Sequence, residues 1–307
     1  MRKVLLTLAF SAAALFAAGN LQAQTINYTP SGGNINTAAN WEGGALPIAG
    51  QTGLVEVDAD WPGTNGAFNV GIFGDLIFDG TTTGGITVNS GPGNTNDIIA
   101  ANPSSITFGN LVTVNSSDDI FTGALAGNYI FEAGSTTNVR DDFEANGGGT
   151  ITINGGTHNL GVTVQGNATT NANNFGAQNN STLNFLGGTV TGVDLFRTTN
   201  AAASLTIGGD ASIETATVSF FNGTTDFLSD WTGFLDSGAQ SSLADYEALL
   251  VGTATFDGAA IDAAIFADNF ELNSNGALVL TASAVPEPSS LALLGLGVVG
   301  MVSRRRR

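Results

Sequence analysis

The chain has 307 residues, eight basic and 26 acidic, with a formal net charge of −18, a single histidine and no cysteine. This balance excludes a basic nucleic-acid surface, and the residue counts exclude disulfides, thiol nucleophiles, cysteine metal sites and histidine-cluster metal centres. A chain of this length can bury a large core without covalent staples.

At the start, Arg2 and Lys3 precede an apolar run from Val4 to Ala18 and then Leu21-Gln22-Ala23-Gln24. A basic opening, a short apolar stretch and a small residue before the cut have the form of a secretory signal peptide. Residues 1–23 are expected to be removed after Ala23; a retained membrane helix is the other reading. From Gln24 to Ala284 the chain carries 25 acidic residues against only Arg140 and Arg197, and no lysine. Such a surface repels its own kind, stays soluble and attracts cations loosely.

Residues 24–68 are expected to form an N-terminal cap. Asn40-Trp41-Glu42-Gly43-Gly44-Ala45-Leu46-Pro47 is similar to the opening of bacterial surface β-solenoid proteins, autotransporter-like repeats among them. Leu54-Val55-Glu56-Val57-Asp58 alternates as a strand does.

Over 69–221 short triplets recur with apolar residues at positions one and three: Ile86-Thr87-Val88, Ile106-Thr107-Phe108, Val112-Thr113-Val114, Tyr129-Ile130-Phe131, Ile151-Thr152-Ile153, Val162-Thr163-Val164, Leu183-Asn184-Phe185, Leu205-Thr206-Ile207 and Ala216-Thr217-Val218. Gly and Asn flank them and supply the backbone angles of corners. Many of the triplets return after about 20 to 23 residues, with one longer interval, a period that marks stacked coils. The expectation is an all-β chain: a parallel, right-handed β-helix or solenoid of about seven coils at roughly 4.8 Å each, with a cap at either end. An antiparallel β-sandwich is the rival. In the solenoid Ile86, Ile106, Ile151 and Leu205 should be buried and Thr87, Thr107, Thr152 and Thr206 exposed. Outward threonine ladders on solenoids can bind ice, but with one threonine per strand the series reads first as good strand formers.

Residues 222–283 read as a C-terminal cap. Ser242-Leu243-Ala244-Asp245 resembles a capping box that opens a short helix, with Leu243, Tyr246, Leu249 and Leu250 on one side. Phe270 to Leu280 reads as a hairpin around Asn275-Gly276.

The tail, 284–307, has three parts: Val285-Pro286-Glu287-Pro288, an apolar stretch from Leu291 to Val302, and Arg304, Arg305, Arg306 and Arg307. The prolines break any element arriving from upstream. The uncharged stretch from Ser289 to Ser303 would make roughly 22 Å of helix, a short membrane span held by its arginines on the cytoplasmic side. This tail resembles the PEP-CTERM sorting signal of bacterial envelope proteins, which is also catalogued as the C-terminal domain of ice-binding-type proteins. The resemblance implies recognition and cutting by an exosortase, transient insertion in the inner membrane, and a mature body at the cell surface or outside the cell.

β-Helices host glycosidases and lyases, and paired carboxylates are what glycoside hydrolysis needs. Asp118-Asp119 and Asp141-Asp142 are the candidate pairs, with Arg140 and His158 near the second. The elements of polygalacturonase-type sites are absent, and no run of aspartates matches the calcium-binding nonapeptide repeat. No cofactor is expected. The favoured reading is a non-catalytic surface or matrix protein, structural or adhesive, associated with exopolysaccharide or biofilm. The alternative is a β-helix carbohydrate-active enzyme, a glycoside hydrolase or lyase.

Overall fold

A computed structural model of the chain describes residues 24–29, 33–48, 50–61, 75–91, 97–100, 105–122, 127–168, 173–221 and 223–281. The leader and the tail expected from sequence lie outside these residues. No helix among the described residues is long and apolar enough to cross a membrane.

The body is a β-solenoid of about 8 turns. Three parallel ladders run along it. The first face stacks Gln24–Asn27, Gln51–Val55, Asp75–Phe78, Ser105–Phe108, Asn128–Phe131, the starts of Thr150–Asn159 and Thr182–Thr199, Ser204–Ile207, Thr224–Phe227 and Thr255–Phe256. The second stacks Gly33–Asn34, Ala59–Asp60, Ile86–Asn89, Val112–Ser116, Thr136–Val139, then 157–159, 189–191, the start of Ser212–Phe221, and Leu235–Ser237. The third stacks Ile98–Ala100, Ile120–Thr122, Phe143–Ala145, Asn174–Gln178, 195–199 and 217–221. Thr182–Thr199 bends through all three faces in one 18-residue strand. Parallel pairing begins at Gln24, inside the stretch read as an N-terminal cap, and reaches Phe256, inside the stretch read as a C-terminal one. Among the described strands, antiparallel pairing occurs only beyond Leu235, so the sandwich is rejected.

The triplets work as alternation requires. Ile106, Tyr129, Ile151, Leu183 and Leu205 lie in one inward column, each in register with the next, so these spacings of 23, 22, 32 and 22 residues are true coil intervals. Ile86 does not belong to that column. It pairs with Val112 on the second face, and Leu76 is the residue under Ile106. The apparent 20-residue step therefore ran from one face to another. Val162-Thr163-Val164 forms no strand; only an isolated antiparallel bridge, Val164 to Asn167, marks it. Ile86, Ile106, Ile151 and Leu205 are buried, as expected. Thr87, Thr107, Thr152 and Thr206 are half-buried rather than exposed, because neighbours in the coils on either side cover part of each side chain.

The inward columns make one continuous core. Phe78, Phe108 and Phe131 stack along the first face with centroids 5.2 and 4.9 Å apart. Phe143, Phe175, Phe196 and Phe220 follow one another up the third at 5.7, 5.5 and 5.3 Å. Trp41 plugs the early end, buried beside Tyr28, with its indole N–H on the Ile35 carbonyl at 2.8 Å. At the far end helix α1 (Leu243–Leu250) is capped by Ser242 Oγ, which accepts from the Asp245 N–H. Tyr246 and Leu250 are buried while Leu243 stays exposed. The Tyr246 hydroxyl donates to Leu235 O and accepts from Ser237 N, both at 3.0 Å, which fixes α1 to the last strand of the second face. Helix α2 (Ala263–Asn269) was not foreseen, although Asp262 is an ordinary cap that accepts from Ala264 N and Ile265 N. The Asn275-Gly276 hairpin forms between Phe270–Leu272 and Leu278–Leu280, with Gly276 at φ 86°.

Phe131 is fully buried and touches Phe108, Phe143 and His158. Phe131→Ala is expected to lower stability to denaturant by about 3–5 kcal/mol. Phe221→Ala, at a ring 68% exposed, should stay within about 0.5 kcal/mol.

Candidate acidic corner

The corner that leads into the third face carries an acid in successive coils. Asp97, Asp119 and Asp142 stand just before Ile98, Ile120 and Phe143, which are stacked in register. Each side chain braces the coil above. Asp97 Oδ1 accepts from Asp119 N at 3.3 Å, Asp119 Oδ1 from Asp142 N at 2.9 Å, and Asp142 Oδ1 from Asn174 N and Nδ2 at 2.7 and 2.9 Å. An aspartate suits this place because its short side chain reaches a backbone N–H that the turn leaves without a carbonyl partner.

Asp118 and Asp141 flank this column. Asp97, Asp118 and Asp119 each bring a carboxylate oxygen within 4.8 Å of the others, and so do Asp119, Asp141 and Asp142. Such oxygens are the hard donors that calcium takes. Arg140, itself buried, forms an ion pair with Asp118. Burial, more than the neighbouring charges, raises the carboxyls: Asp97 to about 6, Asp119 to about 8 and Asp142 to about 6. For Asp119 the charges of Asp97, Asp118 and Asp142 add to this, against the lowering by its bond from Asp142 N.

His158 does not join the acids. It projects inward from the second face, fully buried, in the column of Val114, Thr137 and Val190. Nδ1 lies 3.0 Å from Thr137 Oγ1 and Nε2 3.1 Å from Gly155 O. Its ring meets Phe131 and Phe143 edgewise. Burial pushes its pKa down to about 4, so near neutral pH it is an uncharged core residue. Arg197 is engaged as well. Its guanidinium reaches Glu144, two coils below, through Nε to Oε1 at 2.7 Å and Nη2 to Oε2 at 3.0 Å. Gly176 is the residue between them in the ladder. A Cβ there would lie 1.9 Å from the Arg197 carbonyl oxygen. This bidentate pair was invisible in sequence, because its members are 53 residues apart.

Two pH dependences follow, with opposite signs. The folded acids keep protons that the unfolded chain releases above about pH 4, so their effect is a stability that falls as pH rises from about 4 through about 8. Neutral His158 costs stability as pH falls from about 6.5 to about 4. Between about pH 6.5 and about pH 8 the corner decides, and melting in the presence of a chelator should drop by several degrees. Asp119→Asn keeps the acceptor for Asp142 N. It should flatten that slope and stabilise the fold at about pH 8 by on the order of 1 kcal/mol. An unchanged slope would show that the corner does not titrate there.

Val285, Pro286, Glu287, Pro288 and Arg304 to Arg307 lie outside the described residues. The PEP-CTERM protein-sorting motif matches residues 284–307, which contain all eight. No curated protein and no solved structure matches the chain. The motif is a recognition signal for exosortase and implies export with processing close to the membrane. The chain is thus a β-solenoid that carries a PEP-CTERM sorting motif.

Proposed function

We propose that the exported body is a non-catalytic structural or adhesive protein of the cell surface or extracellular matrix, working alongside exopolysaccharide or biofilm polymer. The observation that carries this reading is the fate of the groups an enzyme would need. The lone histidine is sealed in the core. Arg140 and Arg197 are both held in ion pairs, and Asp119 and Asp142 serve as braces between coils. General acid–base catalysis requires a titrating group within hydrogen-bond reach of substrate. His158, separated from Asp141 and Asp142 by its place inside the coil, offers none. A rigid acidic rod suits a hydrated matrix, since its charge keeps it dispersed while its repeated faces meet polymer.

A panel of neutral and acidic polysaccharides, scored for both binding and cleavage, tests this. Binding without cleavage is the expected result. Cleavage that Asp142→Asn abolishes would replace this reading with a carbohydrate-active enzyme. Fractionation with intact-mass analysis checks the address: the expected species lies outside the cytoplasm and lacks both residues 1–23 and the arginine tail. A cytoplasmic protein retaining Met1 and Arg307 would overturn it.

A further inference from the structure

The outward side of the second face repeats one pattern through five coils. Thr87-Val88-Asn89, Thr113-Val114-Asn115, Thr136-Thr137-Asn138 and Thr157-His158-Asn159 are followed by Thr189-Val190-Thr191. The register is constant. Thr87, Thr113, Thr136, Thr157 and Thr189 stack in one row, and Asn89, Asn115, Asn138, Asn159 and Thr191 in the next. Nine of the ten are half-buried and Thr157 is exposed, and their middle neighbours turn inward. By strand geometry the rows form a lattice of about 4.8 Å along the solenoid by about 6.7 Å across it. The triplet centres considered in sequence sampled one of these columns and mixed in others: Thr107, Thr152 and Thr206 belong to the first face, Thr217 to the third, and Thr163 to a loop.

The lattice is held rigid. Asn115 Nδ2 donates to Asn89 Oδ1 at 2.9 Å, Asn138 to Asn115 at 2.9 Å and Asn159 to Asn138 at 3.0 Å, and Thr191 Oγ1 donates to Asn159 Oδ1 at 3.2 Å. Each amide in the middle of this ladder spends one N–H and one lone pair and keeps another of each for an outside partner. The five hydroxyls of the Thr87 row take no hydrogen bond among the described residues, and β-branching limits their rotamers. The array is also neutral in a strongly acidic chain. Acids meet it at its two ends: Asp58 accepts from Thr87 N and Asp60 pairs with Asn89 at the early one, and Asp210 accepts from Gly188 N while Glu214 follows Ile213 at the late one. The first face lacks this uniformity, since Ile77 and Ile130 interrupt its outward column and Asp226 closes it. The third bears Glu144 and Arg197.

What such a face can hold follows from what it lacks. Small ligands require concavity and converging polar groups. Sugar chains without charge are commonly gripped by aromatic platforms, and neither row has a ring. Evenly spaced, identical, weak contacts gain strength only against a partner that is itself periodic, where they add by multivalency. Uncharged donors and acceptors alternating with methyl groups match a solid built of water. We propose that this face binds ice, through the Thr87-to-Thr189 and Asn89-to-Thr191 rows acting together. The fixed rotamers mean that little order remains to be imposed when the face meets the crystal.

The processed protein, purified whole, is tested by ice-affinity partition and by inhibition of ice recrystallisation. Wild type should partition into ice, and Thr136→Tyr, at the centre of the array, should lower partition at least about tenfold by breaking simultaneous contact. Thr152→Tyr, an equal enlargement on the first face, should leave it unchanged. Thr113→Ala combined with Thr157→Ala removes hydroxyls without adding bulk and should also weaken binding while thermal melting shows the fold intact. Wild type excluded from ice, or equal losses from both faces, overturns the proposal. So does second-face binding to crystalline cellulose or chitin in place of ice. The polysaccharide panel can fail without touching this result, which distinguishes the two readings.

Discussion

Each coil must offer the next one its inward stretches in the same register, two at the ends of the described solenoid and three in its middle. Parallel stacking leaves no freedom here: a slip of one residue would turn each buried side chain outward. The columns therefore conserve size locally, as in the run of phenylalanines at 78, 108 and 131. They also absorb differences in loop length without disturbance. Ile151 and Leu183 are 32 residues apart yet stand in register, and the extra length falls in sequence between the strands that end at Asn159 and begin at Asn174. Core packing fixes position, and the corners take whatever length remains.

The same requirement explains the buried polar groups. The column that runs through Val88, Val114, Val190 and Ile213 holds Thr137 and His158 at two adjacent levels. Each alone would be an unsatisfied polar group in an apolar stack; together they share a hydrogen bond, and Gly155 O takes the other nitrogen. The Glu144–Arg197 pair obeys similar logic on the third face. Glu144 is buried beneath a glycine, and the guanidinium from the coil beyond that glycine completes it.

Much of this was legible in the sequence because alternation is a local signal. The triplets at 106, 129, 151, 183 and 205 recur at coil intervals and stand in one column, the Ser242 cap and the Asn275-Gly276 hairpin form as their residues require, and the tail is readable from three adjacent segments. What failed was the assignment of triplets to faces. Ile86 and Ile106 look alike and sit at the right interval, yet one lies on the second face and the other on the first. Triplets on separate faces obey the same alternation, so only the pairing partners Val112 and Leu76 tell them apart. The error had a chemical cost. With the faces merged, the threonines seemed to be one per strand, and the asparagines two residues on looked like corner residues. His158 is near Asp142 in sequence but not in space for the same reason: sequence distance says nothing about which side of a strand a residue faces when the coil's phase is unknown.

The charge follows the geometry once the faces are separated. An outward position in mid-strand has neighbours about 4.8 Å above and below, so a column of like charges there would repel at every step. Corners relieve this in two ways. Backbone N–H groups of the next coil solvate the carboxylates, as Asp142 N does for Asp119, and some carboxyls remain protonated into the neutral range. Acidic side chains can accumulate in turns while the second face from Thr87 to Thr191 keeps Thr and Asn, whose mutual contacts are attractive or indifferent; the exposed acids Glu214 and Asp236 pair only beyond that stretch. The neutrality of that face and the acidity of the chain are thus two results of one stacking distance. Where charges do stand in strands, as Glu144 and Arg197 do on the third face, they are paired with the opposite sign.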